Sequence, residues 1–204
     1  MSKQVAMVAG EASSDWIGAL LLGHLQARWP GLSAHGVLGP KLQAQGGHAW
    51  WPSEKLAVRG YVEVLKHYRE IIGIRKQLKA KLLKQKPSLF IGLDAPDFNL
   101  DLEADLRQAG VPVVHMVAPA VWAWRPERIE KIQRSVDLLL CIFPFEPPIF
   151  QAAGIDAVYV GHPLAQLVPD HIDRVQAKAA LGYTAAQPLL ALLPGSRQDE
   201  VRLL

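Results

Sequence analysis

The chain has 204 residues, 50 % of them hydrophobic and 20 % charged, a composition that suits a soluble globular protein of one or two domains. A formal charge of +3 is too small to argue for a nucleic-acid partner. A single cysteine, Cys141, excludes a disulfide framework and a cysteine-based zinc site; it lies in an apolar run, where a buried reduced thiol is expected. The amino terminus MSKQVAMVAG lacks the apolar core of a signal peptide, and no stretch approaches the length of a membrane span, so a cytoplasmic location is expected.

Residues 5–9 form a short apolar run that ends at Gly10, as a strand would. The polar loop GEASSD follows, then WIGALLLGHLQARWPG, where Ile17, Leu20, Leu21 and Leu25 recur at helical spacing until Pro30–Gly31 stops them. A strand, a small polar loop and a helix present backbone N–H groups and a helix N-terminus to an anion or a sugar. The loop carries one glycine in place of the three of the dinucleotide fingerprint, which disfavours a nicotinamide cofactor. Ser13, Ser14 or Asp15 is expected to cap the helix.

A second strand is expected over 34–38, ending at Gly39–Pro40, and a glycine-rich patch with Trp50 and Trp51 follows it. Paired tryptophans suit a sugar platform, a membrane-interface anchor or plain core packing. A long helix over 61–86 keeps Leu65, Tyr68, Ile72, Leu78 and Leu82 at helical spacing. Its other face carries Lys66, Arg69, Arg75, Lys76, Lys79, Lys81, Lys84 and Lys86 against Glu63 and Glu70. That is either a solvated face or a footprint for anionic lipid headgroups.

The stretch FIGLDAPDFN, residues 90–99, is the chemical centre of the chain. A buried strand over 89–92 ends there, and Asp94 and Asp97 bracket Pro96, which biases Ala95 towards extended geometry. In an open α/β sheet ligands bind beyond the carboxyl ends of the strands, so a carboxylate at this point is a candidate general base. Asp97 or Asn99 is expected to cap the helix that follows, from about residue 100 to 109; Asp94 sits too early for that role. Further along come a strand over 113–117, the run APAVWAWRPERIEKI with a helix over 126–134, a strand over 137–143 and the turn-like PFEPP. A helix over 149–153, a strand over 157–160 and GHPL complete the unit. Strands alternating with helices at this spacing imply a Rossmann-like α/β fold with a mostly parallel sheet.

Residues 169–182 read as a partly helical linker. The apolar run 189–193 is expected to be a strand that delivers PGSRQDE, where Ser196 and Asp199 fit a capping box at a helix start. Glycine, an N-cap serine and Arg197 at such a start suit a diphosphate. The expected organisation is therefore one domain over 1–168, followed by a linker and the beginning of a second α/β domain over 169–204.

Seven blocks in order, VAGEASSDWIGALLL, LAVRGYVEVL, FIGLDAPDFN, APAVWAWRPERIEKI, FPFE, VGHPL and LALLPGSRQDEV, together closely resemble the lipid-A-disaccharide synthase family, bacterial glycosyltransferases of the two-domain GT-B type. The resemblance spans nearly the whole chain. The family usually has Gly where this chain has Ser14 and Met where it has Arg59; neither change touches the charged groups. The larger departure is length, because family members carry a complete C-terminal domain that binds most of the nucleotide.

The resemblance implies inverting transfer of 2,3-diacylglucosamine from UDP-2,3-diacylglucosamine to lipid X, forming lipid A disaccharide and UDP. It implies that Asp94 is the base, that Asp97 and Asn99 hold the loop or contact acceptor hydroxyls, and that Glu11, Ser13 and Asp15 line a sugar-binding loop. Ser196 and Arg197 would serve the UDP leaving group. No metal or other cofactor is implied. The expected partners are the two acylated sugars, the inner-membrane surface as a peripheral site, the missing C-terminal domain and a second copy in a homo-oligomer. Two alternatives stand beside this reading: another GT-B enzyme acting on a UDP-sugar, and a non-catalytic lipid-binding fragment.

Overall fold

The computed structural model describes residues 4–56 and 61–193, without the side chains of 61–67. Arg59, Ser196, Arg197 and the helix expected at Ser196 therefore lie outside the described residues, as do the side chains of Glu63, Leu65 and Lys66. The chain divides into two units, residues 1–165 and 166–204.

The first unit is α/β, built on a seven-stranded parallel sheet in the order β3-β2-β1-β4-β5-β6-β7. The strands are β1 (Gln4–Ala9), β2 (Ser33–Leu38), β3 (His48–Pro52), β4 (Leu89–Leu93), β5 (Val113–Met116), β6 (Leu138–Cys141) and β7 (Ala157–Tyr159). Six helices connect them: α1 (Ala12–Arg28), α2 (Pro40–Ala44), α3 (Tyr61–Gln85), α4 (Pro96–Gln108), α5 (Arg128–Ser135) and α6 (Glu146–Gln151). Both faces of the central strands are covered, which is why their sequences read as continuous apolar runs. Along β1, Val5, Met7 and Ala9 pack with Ile17 and Leu22 of α1, while Ala6 and Val8 pack with Leu78 and Leu82 of α3 and Leu102 and Leu106 of α4. Burying a side chain such as Phe90, fully enclosed here, is worth roughly 1.5–3 kcal/mol.

Two elements escape the sequence reading. Trp50 and Trp51 belong to the edge strand β3 and are half-buried against the core, with Trp50 stacked on His35 at 5.8 Å and capped by Lys81 at 4.0 Å. Pro40, read from sequence only as the end of the second strand, opens α2. The basic face of α3 is also partly neutralised: Arg75 pairs with Asp101 and Lys79 with Asp105, both on α4. Of the turn-like PFEPP, Pro144 and Phe145 do form a turn, while Glu146, Pro147 and Pro148 open α6, since proline is tolerated in a first helical turn.

In the second unit, α7 (Arg174–Ala180) is capped by Asp173, whose carboxylate accepts from the Val175 and Gln176 N–H groups. No strand forms over 189–193; Leu190, Leu192 and Leu193 are 81–91 % exposed. An apolar run becomes a strand only when a neighbour takes its hydrogen bonds, and no neighbour pairs with it among the described residues.

Candidate functional site

The strand order reverses between β1 and β4, whose registers align Ala9 with Leu93. That topological switch point is where doubly wound sheets open a ligand crevice. The two loops that leave it, Gly10–Glu11 and Asp94–Ala95, are the two singled out by sequence.

Asp94 lies just beyond the carboxyl end of β4, the middle strand of the sheet. It has φ 55°, and Ala95 has φ 46°, so both are left-handed; Ala95 does not adopt the extended form expected before proline. The chain turns from strand to helix across two residues, and Pro96 begins α4 where a missing N–H costs nothing. Left-handed geometry in residues with a Cβ is strained, and such strain persists only where the surroundings enforce it. Here the Asp94 N–H donates to the Met116 carbonyl at 2.9 Å, and the Asp94 carbonyl accepts from Asn99 Nδ2 at 2.8 Å.

The capping expectations are corrected on both helices. Ala95, rather than Asp97 or Asn99, is the N-cap of α4. Glu11, rather than Ser13, Ser14 or Asp15, is the N-cap of α1, whose first turn begins inside the loop GEASSD. Ser14 secures it, accepting from the Glu11 N–H at 3.1 Å and donating to the Glu11 carbonyl at 2.9 Å.

Asp15 is buried, and its carboxylate accepts from the backbone N–H groups of Gly39, Lys41 and Leu42 at 2.8–3.1 Å. It thereby satisfies the start of α2, and Gly39 has to be glycine because a Cβ there would lie 2.4 Å from the carboxylate. Asn99 is also fully buried and holds the Asp94 loop from beneath.

The other sequence-derived residues fall into two recesses. Asp94 and Ser13 face a recess of about 210 Å³ whose wall also includes Trp16, Val117, Ile142 and His162. Glu11 and Asp97 line a second, of about 500 Å³, with Leu56, Tyr68, Ile71, Arg75 and Lys131. Asp97 is mostly exposed and pairs with Arg128, with Arg125 at 3.7 Å; both guanidiniums also lie against the Trp124 ring, at 5.6 and 4.2 Å. Ser196 and Arg197 lie outside the described residues.

Sequence reasoning missed His162, although it follows β7 and so sits at a strand's carboxyl end, the position that the doubly wound rule flags. It also missed a buried pair: His115 Nδ1 lies 2.7 Å from Glu103 Oε1, both side chains fully enclosed. Burial works to lower the His115 pKa, but the Glu103 carboxylate beside it, with a smaller contribution from Asp94, holds it above the usual histidine value. Burial, then the nearby Glu146 charge, pushes the Cys141 thiol up to about 12, so it is an inert apolar side chain at neutral pH. Among the described residues no group of His, Cys, Asp and Glu is arranged to hold a metal, and no helix is long and apolar enough to cross a membrane.

A doubly wound parallel domain with a strained carboxylate loop at its switch point is the class that fold and site define. The model of the lipid-A-disaccharide synthetase family matches residues 5–204, and the chain belongs to that family. It is 56 % identical to the lipid-A-disaccharide synthase of Albidiferax ferrireducens over 98 % of this chain, and 50 % identical to that of Azoarcus sp. (strain BH72) over 100 % of this chain. A Burkholderia mallei relative of the same name is 52 % identical. In each case the match covers 52 % of the relative, so the chain spans about half the length of the curated relatives it matches.

Proposed function

We propose that this chain is the acceptor-side half of a glycosyltransferase of lipid A biosynthesis, with Asp94 as its general base. The observation that carries the reading is the placement of Asp94 beyond the middle strand, at the switch point, facing a recess shared with Ser13 and His162. In the proposed reaction the Asp94 carboxylate takes the proton from the 6-hydroxyl of lipid X as that oxygen bonds to the anomeric carbon of UDP-2,3-diacylglucosamine. The bond from that carbon to the diphosphate oxygen breaks, and UDP leaves with the electron pair, its charge offset by Arg197. Ser13 and Glu11 contact sugar hydroxyls from the neighbouring loop. Asp15 and Asn99, being buried and committed to backbone partners at the start of α2 and in the Asp94 loop, hold backbone in place rather than touch substrate.

The same half-length match supports a second reading of the chain as it stands, a lipid-binding fragment without turnover. Positioning two reactants accounts for about 7–11 kcal/mol of a barrier, and it is forfeited when the donor is not held. The 204-residue chain alone should show no measurable transfer from UDP-2,3-diacylglucosamine to lipid X, and joining it to the C-terminal half of a relative should restore transfer. In that extended chain Asp94→Asn should lower turnover by about 10²–10⁴-fold with little change in lipid X binding. A near-wild-type rate would remove Asp94 from the role of base, and transfer to soluble sugars in preference to lipid X would point to another UDP-sugar enzyme.

Docking on anionic membrane is part of the same proposal, because both substrates are acylated. The cations of α3 that form neither an ion pair nor a ring contact among the described residues, Arg69, Lys76 and Lys84, are the ones to carry it. Each is worth about 1 kcal/mol at such a surface, lost with salt. Co-sedimentation with phosphatidylglycerol vesicles should fall as ionic strength rises; binding indifferent to salt and to lipid charge would exclude this mode.

A further inference from the structure

The Glu103–His115 pair lies beneath the Asp94 loop, away from the recess that Asp94 faces. Glu103 is on α4 and His115 on β5, and the two approach over Gly92 of β4, the register partner of His115. A Cβ on Gly92 would lie 1.9 Å from Glu103 Oε1 and 3.2 Å from His115 Nδ1, so the missing side chain creates the hole that the pair fills. Filling such a hole with a carboxylate and an imidazole is expensive: desolvation opposes it, and Glu103 Oε2 and Asn99 Oδ1 are buried without a hydrogen-bond partner among the described residues. An apolar side chain would be the cheaper way to fill this space.

What distinguishes the pair is what the residues beside its two members hold. Glu103 stands four residues after Asn99 on the same face of α4, and Asn99 Nδ2 grips the Asp94 carbonyl. His115 directly precedes Met116, whose carbonyl accepts the Asp94 N–H. The elements that carry the pair therefore hold the Asp94 carbonyl and the Asp94 N–H, and the bond between Glu103 and His115 ties those two elements together. We propose that Glu103 and His115 are positioning residues for Asp94, a buried clamp between α4 and β5 that keeps the strained loop after β4 in its left-handed form. The inference rests on the reading of Asp94 as the base. His115 also senses the Asp94 charge, after burial and the stronger influence of Glu103.

The clamp is tested first on the 204-residue chain by amide hydrogen exchange. Glu103→Gln keeps the volume and removes the charge; it should speed exchange at the Asp94 amide by roughly tenfold or more while leaving the β1–β2 ladder unchanged. Unchanged protection at Asp94, or a uniform loss across the sheet, overturns the proposal. In the extended two-domain chain, the same variant should lower turnover by roughly ten- to a hundredfold, with KM for lipid X within about threefold. Combined with Asp94→Asn it should add nothing beyond about twofold, because a residue that acts only through Asp94 has nothing left to position. A full multiplicative loss in the double variant means that Glu103 acts elsewhere and overturns the clamp. If Asp94→Asn is inactive and Glu103→Gln runs at full rate, the clamp fails and the base assignment stands. If Asp94→Asn runs near the wild-type rate, the base assignment itself has failed. Should Glu103→Gln not fold, His115→Gln takes its place in both measurements, and the same outcomes decide.

Discussion

The two units of this chain hold apolar runs of similar composition that meet opposite fates. LFIGL at 89–93 is β4, hydrogen-bonded to β1 on one side and β5 on the other, with Phe90 and Leu93 wholly buried. LLALL at 189–193 forms no strand, and Leu190 and Leu193 are 83 and 91 % exposed. Both are short and apolar, with a proline within three residues on either side. The difference is the presence of neighbours that take the backbone hydrogen bonds and cover the side chains.

The largest effect that would sharpen this contrast is a pair of truncations. Phe90→Ala should destabilise the main unfolding transition by about 3–5 kcal/mol, since it leaves a cavity between the sheet and α4. Leu190→Ala should change it by less than about 0.5 kcal/mol. Chemical denaturation of both variants checks the pair, and equal losses would mean that 189–193 is packed in solution.

Gly92→Ala comes next. The new methyl would meet Glu103 Oε1 at a distance no real contact shows, so either the carboxylate leaves its place or α4 shifts. Overpacking of this kind costs about 1–3 kcal/mol. Thermal unfolding should show the loss, and pairing with Glu103→Ala should recover part of it because the obstructing atoms are gone.

How much of this was legible beforehand depends on what each feature responds to. The parallel sheet and the position of Asp94 were readable because strands 5–9, 89–92 and 113–117 are largely buried, so their apolar runs carry the topology, whereas in the edge strand β7 only Ala157 is buried. The helix starts were misread because caps depend on backbone geometry: Ala95 caps α4 through a left-handed turn that no residue preference signals. Asp15 looked like a loop residue because the helix it caps, α2, is one short turn opened by a proline. The clamp left one overlooked signal: Asn99 and Glu103 fall on the same helical face as Leu102 and Leu106, and polar residues on a buried stripe break the local rule in the way functional sites do. What no local pattern announced was His115 as their partner, because that contact joins residues of two different elements.

The clamp also gives the first unit a pH dependence. His115 faces Glu103 from α4 and Asp94 from the loop after β4, and its pKa in the folded protein is raised above the usual value of about 6.5 despite burial. A group whose folded pKa is raised contributes stability that is fully present below the unfolded pKa and is lost as pH rises through the folded value. Stability of the main transition should therefore decline from about pH 6.5 upwards, and His115→Gln should flatten that decline. Equal slopes in the two proteins would mean that His115 does not titrate in this range.

The smallest expected effect lies at the surface, where Asp101 of α4 ties two other helices to its own. Its carboxylate meets Lys131 of α5 at 2.6 Å and Arg75 of α3 at 3.1 Å. Partial burial works to raise its pKa, but the hydrogen bonds and charges of Lys131 and Arg75 outweigh it and hold the carboxyl below its ordinary value. The sign is thus opposite to that of His115: the stability is present above the unfolded carboxyl pKa, about 3.9, and is lost as pH falls through the lower folded value. Because the side chain is 49 % exposed, solvent and salt screen most of the attraction, and Asp101→Asn should cost no more than about 1 kcal/mol at neutral pH. The cost should shrink with added salt and vanish once acid has protonated the wild-type carboxyl. A loss of several kcal/mol that ignores salt would mean that the three-helix tie is desolvated in solution and belongs with the core contacts rather than with the surface.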